Sequence, residues 1–290
     1  MSKWKVKNTI VIILLFLIII SGICIMLYPT ISHTINSLHQ SRSISTYSEK
    51  VDEMGSEAYK AILRQARDYN QYLMDHSTLC QMTAQEKEMY RQCLNVDESG
   101  MMGSIEIPAI HVSLPIYHGT DDRVLQTAIG HLEGTSLPVG GESTHCVLSG
   151  HCGLPKAKLF TDLNQLKVGD GFFLRILNEN MYYQVDQIQI TEPTEKEPLQ
   201  IVHGQDYCTL VTCTPYGINT HRLLVRGRRI MGDEQELQEK MEAEEKEQKS
   251  FKVFQDWMQR KGGKKVILLL ILTILALFIL RELTVLFANI

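Results

Sequence analysis

Cys213 and Arg222 lie in the run Thr-Leu-Val-Thr-Cys-Thr-Pro-Tyr-Gly-Ile-Asn-Thr-His-Arg, which begins at Thr209. A thiol that has lost its proton attacks carbonyl carbon, and a guanidinium stabilises the oxyanion that such an attack creates. A thiol is mostly protonated near neutral pH, so it needs a partner that accepts its proton or lowers its pKa. His151, at the end of Val-Leu-Ser-Gly, is the histidine placed to act as that partner and as general acid to a departing amine. Arg226 has the right chemistry, but four residues along a strand is about 13 Å, which assigns it to structure rather than to the reaction.

These groups must be delivered by strands. Residues 207–213 are rich in Thr, Leu and Val, and Pro215, Gly217 and Asn219 then punctuate a loop before a second strand at 222–230. The spacing predicts further strands at 104–109, 112–118, 145–150, 172–177 and 182–190, with a hairpin turn at Asn178, Glu179 and Asn180. Short helices are expected at 121–128 and 158–166. Many short strands of this kind predict a mainly β fold, a closed or nearly closed barrel.

Outside the barrel the chain is helical. From Val51, the residues Met54, Ala58, Ile62, Ala66, Tyr69 and Leu73 form the stripe of an amphipathic helix, and residues 86–94 form a shorter one. Residues 233–249 are almost free of apolar side chains. Glu236 with Lys240, Glu242 with Lys246 and Glu245 with Lys249 are spaced for helical ion pairs, which predicts a solvated stalk. Residues 9–27 are nearly all apolar, long enough to cross a bilayer, and follow Lys3, Lys5 and Lys7. They predict an uncleaved anchor with its N-terminus in the cytoplasm and the following chain outside. A second apolar run starts at Val266 and predicts a second span, although Arg260, Lys261, Lys264 and Lys265 would then lie outside. A long intervening domain translocates largely regardless of such charges.

The formal net charge of −4 averages unlike segments, and no basic stripe suggests nucleic acid. Seven cysteines, at 24, 80, 93, 146, 152, 208 and 213, are an odd number without close pairs, which argues against a disulfide framework. A zinc site drawn from His145, Cys146, His151, Cys152, Cys208 and Cys213 lacks any Cys-x-x-Cys pair, so no metal is expected. Cys146 and Cys208 each stand five residues before a reactive group. If their strands are parallel neighbours, the two thiols meet behind the site, with packed free thiols favoured over a bridge.

The run around Cys213 resembles the signature of sortases, Thr-Leu-x-Thr-Cys followed by Arg. Leu-Ser-Gly-His-Cys-Gly-Leu-Pro from Leu148 is a second match. The resemblance extends over residues 101–230 through Ile-Glu-Ile-Pro at Ile105, Leu-Pro-Ile-Tyr-His-Gly-Thr at Leu114 and Gly-His-Leu-Glu-Gly-Thr-Ser-Leu-Pro at Gly130. It is greatest to class C, the pilus-building members. The resemblance implies a sortase-like β-barrel with catalytic Cys213, His151 and Arg222, Thr212 in substrate binding, and no cofactor. It implies a Leu-Pro-x-Thr-Gly-like sorting signal cut between Thr and Gly through a thioester, then resolved by a pilin lysine amine. Alternatives are attachment of surface proteins to peptidoglycan, a protease that releases its product to water, and an inactive membrane-tethered binding protein.

The organisation so implied is a cytoplasmic N-terminus at 1–8, a span at 9–27, an extracellular helical extension at 28–99 and the catalytic barrel at 100–230. A charged stalk at 231–265 and a second span at 266–286 complete it, in the cell membrane of a Gram-positive bacterium. Two departures stand out. Cys152 replaces the arginine usual after the histidine, and no proline lies between Pro29 and Pro108, so the Asp-Pro-aromatic lid of class C is missing. The site is therefore expected to be open, or covered only by a segment drawn from about residues 74–100.

Overall fold

The computed structural model describes residues 3–76 and 82–232, with side chains from residue 14 onward. The expected stalk beyond residue 232 and the second span lie outside the described residues. Eight strands close into a barrel: β1 (Met101–Ile107), β2 (Val112–His118), β3 (Ile129–His131), β4 (Thr144–Ser149), β5 (Gly171–Ile176), β6 (Glu179–Thr191), β7 (Asp206–Thr214) and β8 (His221–Arg229). Around the barrel they run β1-β2-β3-β4-β7-β8-β6-β5. The β2–β3 and β4–β7 pairs are parallel and the others antiparallel. Each parallel pair needs a crossover. Between β2 and β3 it is α4 (Asp122–Leu125), and between β4 and β7 it contains the β5–β6 hairpin.

Alternation sorts the side chains of the central strands. Cys146, Leu148, Cys208, Leu210, Leu223 and Val225 point into the main core, whereas Val147 and Leu224 pack with Leu132, Leu199 and Val211 on the other face. Cys146 and Cys208 are register partners on β4 and β7, buried and present as free thiols. The parallel neighbours expected from the sequence are therefore there, and the alternation that buries these sulfurs turns His145 and Cys213 to the other face. Burial pushes the Cys208 thiol well up, with the Cys146 sulfur adding to the shift.

Three helices precede the barrel. α1 (Lys3–Asp52) runs unbroken from the apolar segment to the barrel wall, where Tyr47 and Val51 are buried. The Tyr47 hydroxyl donates to Met102 O at 2.7 Å and accepts from Leu177 N at 3.2 Å, and Lys50 pairs with Asp97 at 2.8 Å. α2 (Ser56–Asp75) buries Ala66, Tyr69 and Leu73 of the expected stripe, and the Asn70 amide closes a two-way bond with the backbone of Leu137. α3 (Ala84–Gln92) starts at a capping box between Thr83 and Glu86 and drives Tyr90 into the barrel, where its hydroxyl accepts from Gly119 N and donates toward His131. These contacts gather α2, α3 and the end of α1 where β1 and β6 begin and β2 and β3 finish, opposite the end that carries Cys213.

Buried His145 fixes the β4–β7 pair. Its Nδ1 donates to Gln200 O at 2.8 Å and its Nε2 accepts from the Thr209 hydroxyl at 2.7 Å, an arrangement that needs the neutral ring. Burial lowers its pKa from 6.5 to about 4. The unfolded chain therefore takes up this proton first as pH falls. The stabilisation is complete above pH 6.5 and drains away toward pH 4, about 3 kcal/mol in all. His145→Gln is expected to lower the melting temperature at pH 7 and to flatten its decline between pH 7 and 5. Equal pH slopes in the two proteins would refute the assignment.

Candidate active site

β7 and β8 pair so that Cys213 and Arg222 are direct register partners at the hairpin end. Both continue the outward alternation of Val211 and Leu224, so both face away from the core. The turn between them holds Gly217 at φ 75° and Asn219 at φ 61°, left-handed values that glycine and asparagine accept most readily. This is why Gly217 and Asn219 mark the turn. Arg222 Nη1 donates to His221 O at 3.1 Å and Asn219 O at 3.3 Å. Among the described residues its Nε and Nη2 carry no protein hydrogen bond, which leaves donors for a ligand.

β4 brings the histidine. Ser149 pairs with Val211, and Gly150 N donates to Val211 O at 3.0 Å, so continuation of the parallel register sets His151 beside Cys213. Thr212 is 4% exposed, and its hydroxyl donates to Gly150 O at 2.7 Å. Its side chain points inward with Leu210, and its hydroxyl is spent on tying β7 to the residue before His151. Gly150 itself has no room for a side chain: a Cβ would lie 2.6 Å from Ile129 and 2.8 Å from Phe160.

The loop after His151 folds back on it. Phe160 N donates to His151 O at 3.2 Å, and Gly153 N donates to the Thr161 hydroxyl at 3.0 Å. The Tyr216 ring lies over Gly153, 2.8 Å from where a Cβ would stand, so the β7–β8 turn and the histidine loop brace each other. His151, Cys152, Cys213 and Arg222 are all partly exposed. Burial, then Cys213, then Asp162 push the Cys152 thiol up, which makes it a poor competitor for the nucleophile's part.

Arg226 lies on the same face as Arg222, but its groups are occupied. It grips Asp186 with two bonds of 3.0 and 2.9 Å and stands 4.2 Å from the centre of the Tyr207 ring. Residues 82–100 fold around Tyr90 and His118 at the opposite end, and no hydrogen bond or ion pair joins them to His151, Cys213 or Arg222 among the described residues. Residues 77–81 of the expected cover lie outside the description.

Residues 105–230 match the family model of the sortase domain. Sortase C1 from Streptococcus agalactiae superposes with a TM-score of 0.65 at 54% identity, over 66% of this chain and 100% of that one. Sortase C from Clostridium perfringens, solved with the C-terminal cell wall sorting motif, gives 0.59 at 45% identity over 66% and 100%. Among curated relatives, sortase A of Bacillus anthracis is 31% identical over 134 residues, 46% of this chain. Sortase D of Bacillus subtilis is 28% identical over 131 residues, 44% of this chain. The chain spans 63% of the length of sortase D and 61% of that of sortase A. A barrel that sets cysteine opposite arginine with histidine on the next strand, and such identity over the whole of several solved class C sortases, place this chain in the sortase family, among its class C members.

Proposed function

We propose that this protein is a membrane-anchored, pilus-building transpeptidase in which Cys213 is the nucleophile, His151 the proton carrier and Arg222 the oxyanion donor. The observation that carries the reading is the pairing of Cys213 with Arg222 at the turn end of the β7–β8 hairpin, beside the end of β4. The Cys213 sulfur, its proton passed to His151, attacks the carbonyl of a sorting signal between Thr and Gly. Charge then develops on the carbonyl oxygen, where the unoccupied guanidinium donors of Arg222 hold it. His151 returns the proton to the departing glycine nitrogen as the C–N bond breaks, and a thioester remains on Cys213. A lysine amine of another subunit attacks that thioester. The new isopeptide bond forms, the C–S bond breaks and the thiol is restored. α1, with Leu14–Asp52 the one helix long and apolar enough to cross a membrane among the described residues, supports the anchor.

Product analysis tests the reaction. Full-length protein in detergent, given a Leu-Pro-x-Thr-Gly peptide and a lysine-bearing pilin domain, should yield the isopeptide-linked product, with hydrolysis dominant only when the amine is omitted. Hydrolysis alone under both conditions would make it a protease. Transfer to a peptidoglycan stem amine in preference to the pilin lysine would make it a wall-anchoring enzyme.

A further inference from the structure

We propose that the catalytic end of the barrel faces the lipid surface, and that the β7–β8 turn touches it through Ile218 and Tyr216. The inference rests on the reading that α1 spans the membrane. Because α1 is one continuous helix, the order of its contacts along the sequence is also their order in height above the bilayer. The Asn36 amide donates to Lys156 O at 2.8 Å, in the loop that follows His151. Gln40 donates to Thr127 O, directly before β3, whose first residues lie level with the end of β4. Only later does the helix reach the opposite end, where Tyr47 meets Met102 and Leu177 and Lys50 meets Asp97.

At 1.5 Å per residue, Asn36 and Gln40 stand about 14 and 20 Å beyond the end of the apolar run at residue 27, and Tyr47 and Lys50 about 30 and 35 Å. The catalytic end is thus the lower one. Pro29 lies within the helix, and a bend there short of a right angle would tilt the barrel without reversing this order. From this lower end the β7–β8 turn projects further, beyond the register of Cys213. It carries Tyr216 and Ile218, each 68% exposed, and Ile190, 63% exposed, stands beside it on β6. An aromatic ring with a polar tip and an exposed aliphatic side chain suit the headgroup boundary. The consequence is a site that opens toward polypeptides presented at the membrane surface.

The full-length chain reconstituted in phosphatidylcholine vesicles provides the test. Zwitterionic lipid is chosen because Lys156 and Glu192 bring both signs of charge to this end. With Trp4 and Trp257 exchanged for phenylalanine, a single tryptophan is placed by Ile218→Trp, by Tyr216→Trp, or by Val202→Trp in the loop at the opposite end. Side chains that enter the boundary sit about 5–10 Å deep, so brominated lipid should quench the tryptophan at 218 or 216 about two-fold and leave that at 202 nearly unchanged. Equal quenching at the two ends, or stronger quenching at 202, overturns the proposal. A chain that fails to co-sediment with vesicles overturns the anchor reading and this inference together. The measurement needs no turnover, so a quenched but inactive protein would count against the transpeptidase and leave the orientation standing.

Discussion

Cys213→Ala is expected to abolish acyl-enzyme formation and isopeptide synthesis, a loss on the order of 10^4-fold or more, because every covalent step passes through this sulfur. The fold should survive. Cys213 is partly exposed at the end of β7 and its thiol has no hydrogen bond among the described contacts, so alanine opens no core cavity and the melting temperature should stay within about 2 °C. The other cysteines are internal controls. Cys93, Cys146 and Cys208 are buried, and Cys152 is partly exposed nearby with its thiol pushed up. Mass spectrometry of the wild-type protein after peptide addition should find the thioester on Cys213 alone. An adduct on Cys152 in the alanine variant, with product still formed, would move the nucleophile by one strand and refute the scheme.

The β7–β8 hairpin was legible because its punctuation is chemical. Gly217 and Asn219 take the left-handed conformations that those residues tolerate, and Thr, Leu and Val fill the strand before them. The parallel approach of β4 to β7 was legible more indirectly, through the equal spacing of Cys146 from His151 and of Cys208 from Cys213. What the sequence hid is made of single contacts. β3 is three residues long, too short for any period to show, and Gly130 within it is there because a Cβ would lie 2.2 Å from Gly119 O.

The helix expected over 158–166 shrinks to a 3-10 turn, Leu163–Gln165. Phe160 is taken up beneath Gly150, and its N–H is given to His151 O. α1 runs far past the apolar segment because Tyr47 and Val51 lock its end to the barrel, and two buried side chains make no stripe that a sequence can display. The inward turn of the Thr212 hydroxyl was hidden for a related reason. Next to a nucleophile a hydroxyl suggests a ligand, and only the strand alternation, with Gly150 O waiting inside, shows it as a strut.

Arg222→Lys is expected to lower kcat/KM about 100-fold, whereas Arg226→Lys should change it less than about three-fold, the first figure being the scale for loss of one oxyanion donor. Lysine preserves the charge at both positions, so the comparison isolates the planar fork. At 222 that fork braces on His221 O and Asn219 O through Nη1 while offering its other nitrogens to the substrate oxygen, which an ammonium on a flexible stem cannot do at once. At 226 the fork is already closed on Asp186 and stacked over Tyr207, about 13 Å along the strand from the reaction. Its loss should appear in stability instead. The pair is about a quarter exposed, so solvent screening limits the cost to about 1 kcal/mol, a few degrees in melting temperature. The two variants should therefore separate cleanly, one losing turnover at unchanged stability and the other losing stability at unchanged turnover. Equal losses of kcat/KM at the two positions would mean that charge anywhere on this face suffices, and the assignment of Arg222 to the oxyanion would fall.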